Sequence, residues 1–117
     1  MRTLLIVVTV CATALIVPAV AAETTLSGLL VEAGCGSHLG NTSPNEEHVA
    51  CMIRCARNGD PVGILTDDGL YTITGDWVAN NGTKLTELMA KQVEATGETR
   101  DSGGQLVIEL STIELAK

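Results

Sequence analysis

Three cysteines and one histidine carry most of the chemistry this sequence can offer: Cys35, and the spaced run His48-x2-Cys51-x3-Cys55. A thiolate is both a nucleophile and a soft metal ligand, and an imidazole adds a borderline nitrogen. If residues 44–58 form a helix, each step turns it by about 100°. With His48 at zero, Cys51 falls near 300° and Cys55 near 340°, so the three side chains share one stripe. Val49, Met52, Ile53 and Ala56 continue the arc, whereas Glu47, Arg54 and Arg57 fall opposite. The thiol/imidazole stripe therefore borders the apolar face. Cys35 lies upstream of it, with His38 three residues further on.

Three outcomes compete for this set. One is a structural disulfide. An i,i+4 pair on a helix has Cβ atoms about 5–6 Å apart, but a disulfide requires about 3.5–4.5 Å. Cys51–Cys55 is thereby disfavoured, and Cys35 would bond to Cys51 or to Cys55. The second is a tetrahedral site of the Cys3His type, with Cys35, His48, Cys51 and Cys55 as ligands and zinc or copper as the ion. The third is thiol–disulfide exchange, which the absence of a C-x-x-C pair and the nearby Glu46 and Glu47 both weaken. A c-type haem is excluded because C-x-x-C-H is absent.

Other candidates carry less. Asp67-Asp68 reads as turn chemistry, with too few convergent oxygens for calcium. Asn41-Thr42-Ser43 and Asn81-Gly82-Thr83 match the glycosylation pattern, which matters only in a eukaryotic source. Trp77 and Tyr71 read as core or rim. Neither His38 nor His48 has a serine partner, and no phosphate-binding glycine loop occurs. Nothing in the sequence makes a case for an enzyme.

The compartment decides how such thiols behave. Arg2, the uncharged apolar run Leu4–Val17, Pro18 and the small residues Ala19–Ala22 form an export signal. The expected division is therefore 1–22 as signal and 23–117 as one domain, exported to the periplasm or secreted. The apolar stretch alone has nearly the length of a membrane anchor, but its proline and alanine-rich end favour cleavage. Cys11 leaves with the signal, and no membrane contact is expected afterwards. With Arg2 gone, the formal charge of the 117-residue chain moves from −7 to −8. That acidity argues against a nucleic-acid partner, which needs clustered lysine and arginine. Aromatic residues are 2% of the chain, too few for base stacking. In an oxidising compartment disulfides persist, so an odd count of three cysteines is itself informative. A protein partner is left unidentified.

The elements that must position the cysteines follow from pattern. Leu26–Ala33 reads as a strand with a bend or bulge at Gly28, and residues 34–43 as a loop. Ser43-Pro44-Asn45-Glu46 forms a capping box that starts the helix 44–58, and Asn58-Gly59 with Pro61 stops it. Pro61–Thr66 and Leu70–Thr74 form a hairpin around Asp67-Asp68-Gly69. Asn80-Asn81-Gly82 breaks the chain before a short amphipathic helix over 83–91. Gln92–Thr99 and Gln105–Leu115 close the sheet. The order predicts a mainly β chain with added α: an OB-like five-stranded Greek-key barrel. One helix is inserted between strands 1 and 2, and a second short helix lies between strands 3 and 4. An open α+β sheet is the alternative.

These segments together resemble a group of small exported bacterial proteins of unknown function. The resemblance rests on Gly28-Leu29-Leu30-Val31-Glu32-Ala33-Gly34-Cys35, on His48-x2-Cys51-x3-Cys55, and on Gly59-Asp60-Pro61-Val62. Tyr71-Thr72-Ile73 and Val93-Glu94-Ala95-Thr96-Gly97 extend it, with Ala95 departing from the usual valine. It implies a bacterial cell envelope and an OB-like barrel, and it implies no activity. The expectation from the sequence is a small envelope protein binding zinc or copper through Cys35, His48, Cys51 and Cys55. The alternative is a non-catalytic disulfide-clasped structural or interaction domain.

Overall fold

The computed structural model describes Ala14, residues 22–39 and residues 44–117, with the side chains of Ser37 and Leu39 excepted. Apart from Ala14, the expected export signal up to residue 21 lies outside the described residues, as do Asn41-Thr42-Ser43 and the Ser43 cap read from the sequence. Among the described residues, no helix is long and apolar enough to cross a membrane.

The described chain is mainly β, with five strands: β1 (Thr24–Glu32), β2 (Val62–Thr66), β3 (Gly69–Thr74), β4 (Gln92–Ser102) and β5 (Gln105–Leu115). Two helices, α1 (Ala33–Leu39) and α2 (Glu46–Arg57), separate β1 from β2. The strands are ordered β1-β2-β3-β5-β4, and β4 pairs back to β1, so the sheet closes on itself. All pairs are antiparallel except β3 with β5. β1 serves two neighbours: Thr24–Leu29 bonds to β4, and Leu29–Glu32 to β2. Gly28 sits at that handover, where a Cβ would strike the Leu65 carbonyl. The glycine read as a bend is thus required by close backbone approach.

Alternation along the strands fills one interior. Leu30, Ile64, Ile73, Val93, Ala95, Ile108 and Leu110 are buried, and Met52 and Ala56 of α2 join them. Gly103-Gly104 turns β4 into β5 with φ of 62° and 87°, values that favour glycine. In the β2–β3 hairpin, Thr66 pairs with Gly69 across Asp67-Asp68. There the positive φ falls on Gly69 itself and not on the aspartates.

Three local expectations are corrected. Asn45, not Ser43, caps α2: its side chain accepts from the His48 amide at 2.8 Å, and the helix begins at Glu46. Residues 34–43 are not all loop, because α1 occupies Ala33–Leu39. The amphipathic helix over 83–91 contracts to a single 3-10 turn, Thr86–Leu88. Its reason is tertiary. The Leu30 carbonyl accepts from the Ala90 amide at 2.7 Å, and the Leu30 amide donates to the Lys91 carbonyl at 3.0 Å. Met89 is drawn into extended geometry and Ala90 to a φ of 63°, although Leu85 and Met89 still reach the core.

At its other end α2 stops in a Schellman arrangement. Gly59, with φ of 98°, donates to the Ala56 carbonyl, and Asp60 donates to that of Cys55. Just beyond β3, Asn80 and Asn81 both have φ of 55°, a left-handed turn that asparagine tolerates. The Asn81 side-chain amide donates to the Arg57 carbonyl at 3.0 Å, which ties this turn to the end of α2.

Candidate thiol site

Glu32 organises the site. It ends β1, is 4% exposed, and turns its carboxylate back onto the next turn of chain. One oxygen accepts from the Gly34 amide and the other from the Cys35 amide, each at 2.8 Å. Those amides open α1 and would otherwise lack helical acceptors, so a charged acceptor there is favourable. A Cβ at Gly34 would press on the same carboxylate, and one at Gly36 would collide with the Val31 side chain. The Gly-Cys-Gly step therefore lets α1 lie flat on the end of β1, with Cys35 in its first turn. Cys35, within the segment that reads as a loop just after the first strand, stands on a helix instead.

α2 supplies the other two sulfurs. Met52 and Ala56 are buried, and Cys51 and Cys55 are partly covered along the border of that face. Cys51 lies near enough to Cys35 and Cys55 to perturb both thiols, and the Glu32 carboxylate does the same to Cys35. All three cysteines are unbonded thiols. Burial pushes the Cys35 thiol up to about 11, with the Glu32 carboxylate and then Cys51 adding to the effect. Burial likewise raises Cys55, followed by Cys51, Glu32 and Asp60. In both cases the surroundings disfavour a bare thiolate.

His48 is exposed on the first turn of α2. His38 is exposed at the end of α1. Among the described residues, no three side chains of His, Cys, Asp and Glu are arranged to hold a metal ion. The structure thus brings Cys35, Cys51 and Cys55 near enough to influence one another's titration, and adds Glu32. Glu32 has no signal of its own in the sequence, where it reads as one residue of the first strand. Its position two before a Gly-Cys-Gly step is the hint that a helix-capping carboxylate leaves.

Comparisons with protein-family models, curated proteins and solved structures return no match.

Proposed function

We propose that this is a small exported domain of the bacterial envelope, periplasmic or secreted, that binds a soft or borderline metal ion and is not an enzyme. Its five strands are read as an OB-type Greek-key barrel, whose strand order and parallel β3–β5 pairing fit that topology. The observation that supports the metal reading is the mutual electrostatic influence of three thiols from two separate helices. Thiolate-rich sites select zinc and Cu(I). Cys35, Cys51 and Cys55 are the sulfur ligands, and His48, one turn before Cys51, is the fourth. Binding requires displacement of the thiol protons and rotation of side chains toward a common point. A cation's charge offsets the burial and the neighbouring carboxylate that disfavour thiolates in its absence.

Titrating the reduced protein with zinc and, separately, Cu(I), read by native mass spectrometry, tests this. One ion per chain, lost in Cys35→Ser and weakened in His48→Ala, is the expected result. Failure of both metals to bind rejects the reading. The nearness of Cys51 to Cys35 favours a second reading, a disulfide that clasps α1 to α2 in a structural or interaction domain. Protein isolated from the envelope would then be lighter by two hydrogens and would keep one alkylatable thiol.

A further inference from the structure

Past the last turn of α2 the chain encloses a pocket of about 300 Å³ that uses none of the three cysteines. That is the lower end of the size that holds small-molecule ligands. Its apolar part is Val62 of β2 and Ile73 of β3, which are 2% and 3% exposed, with half-buried Val78 beside them. Asn81 and Gly82 supply another side. They belong to a run, Asn80-Asn81-Gly82, with φ of 55°, 55° and 65°. Two left-handed residues that carry side chains are costly in succession, and strain of this kind gathers at ligand sites. The bond from Asn81 to the Arg57 carbonyl holds the run against the end of α2. Glycines at 59 and 82 keep the space open: a Cβ at 82 would stand 3.8 Å from Val62 Cγ2, and one at 59 would stand 3.6 Å from Asn81 Oδ1.

What the pocket can recognise follows from which polar groups are already committed. The Gly59 amide donates to Ala56 at 3.0 Å, the Asp60 amide to Cys55 at 3.1 Å and the Val78 amide to Gly75 at 3.3 Å. Pro61 has no amide hydrogen to give. Val62, Thr72 and Ile73 lie in paired strands. The Asn81 amide nitrogen meets the Arg57 carbonyl at 3.0 Å, which leaves its oxygen toward Gly59. Among the described residues that line the pocket, Asp60 alone carries a charge. The rim is therefore rich in acceptors and poor in donors. We propose that this pocket binds a small organic cation, with a primary ammonium head between Asp60 and Asn81 and an apolar body on Val62, Ile73 and Val78. An ammonium offers three donors and no acceptor, the complement of such a rim. A carboxylate or phosphate would instead face the like charge of Asp60. This site is independent of the metal reading.

Hexylammonium, hexanol and hexanoate share one apolar chain and differ in the head, so titrating the isotope-labelled protein with each, followed by amide NMR, tests the assignment. Hexylammonium should shift the amide signals of Gly59, Val62, Ile73 and Gly82 and reach half-saturation below about 10 mM. Hexanol should bind at the same signals about fivefold or more weakly, because it lacks the charge-assisted bonds, and hexanoate more weakly still. Asp60 is exposed, so Asp60→Asn keeps the fold and the shape of the side chain while removing its charge. That variant should bind hexylammonium about threefold or more weakly and hexanol within about twofold of the parent. The formal charge of −7 draws cations to the surface at large, and the position of the shifts separates that effect from the pocket. Shifts centred on Glu98 and Glu109 of the ribbon overturn the proposal. Equal affinities for hexylammonium and hexanol, an unchanged affinity in Asp60→Asn, or no saturation in this range overturn it as well.

Discussion

Two regions of this molecule crowd acidic groups together, and they do so under opposite solvent conditions. At the α1–α2 end, the buried Glu32 carboxylate sits against thiols that burial already makes reluctant to ionise. On the β4–β5 ribbon, Glu94 stands directly opposite Glu114, and Glu98 opposite Glu109. Like charges facing across a ladder are normally avoided. The ribbon tolerates them because Glu109 and Glu114 lie in water, and Glu94 and Glu98 are only half-covered. The high dielectric of water holds the repulsion of such a pair to about 1 kcal/mol or less. Glu32 lacks that screening and is held instead by two backbone amides. Crowding at a surface is cheap; crowding in the interior has to be built around.

The sharpest way to break this comparison is truncation at both places. Glu32→Ala leaves two helix-opening amides without their acceptor, and it should lower the unfolding free energy by about 2–3 kcal/mol. Glu98→Ala on the ribbon should change it by less than about 0.5 kcal/mol. Equal losses in urea titrations would remove the distinction. Gly36→Ala comes next, because its added methyl meets Val31; overpacking of this kind costs about 1–3 kcal/mol. A loss near zero would mean that α1 is not pinned to β1.

Titration sharpens the same contrast. With its pKa raised from 9.0 to about 11, the Cys35 thiol is favoured in its protonated form by folding. Its contribution to stability is complete below pH 9 and disappears as the pH rises through 11, and Glu32→Gln should reduce that loss. At pH 8 the thiolate fraction of Cys35 is about a hundredfold below that of an ordinary thiol, while its greater intrinsic nucleophilicity offsets part of this. Iodoacetamide should therefore modify Cys35 about tenfold more slowly than an unstructured cysteine peptide. Equal rates would contradict the environment described for it. The smallest effect belongs to the ribbon. Glu109→Lys converts a repulsive pair into an attractive one and should add about 0.5–1 kcal/mol at low salt. That gain should shrink in 1 M salt, as thermal unfolding can show.

Much of the site was legible along the chain because a helix imposes a period. His48, Cys51, Cys55, Met52 and Ala56 are ordered by one 3.6-residue repeat, so the border between thiols and core could be drawn from spacing. The structure buries Met52 and Ala56 and leaves Cys51 and Cys55 at the edge. The stop at Asn58-Gly59 was legible for a similar reason, since the left-handed residue is a local property of glycine. Glu32 was not, because a carboxylate in a strand gives no sign of which backbone it will meet.

Local chemistry by itself determined the helix carrying two cysteines, the turns and the alternation that fills one interior. Tertiary structure alone decided what lies beside what. Leu30 took the backbone partners of Ala90 and Lys91 and cut a periodic segment down to one turn. The end of β1 brought Cys35 under the electrostatic influence of Cys51, 16 residues further along the chain. Spacing encodes faces, because faces depend only on dihedral angles repeated over neighbours. Contacts between elements depend on how the closed sheet positions them, and no short stretch of sequence contains that information.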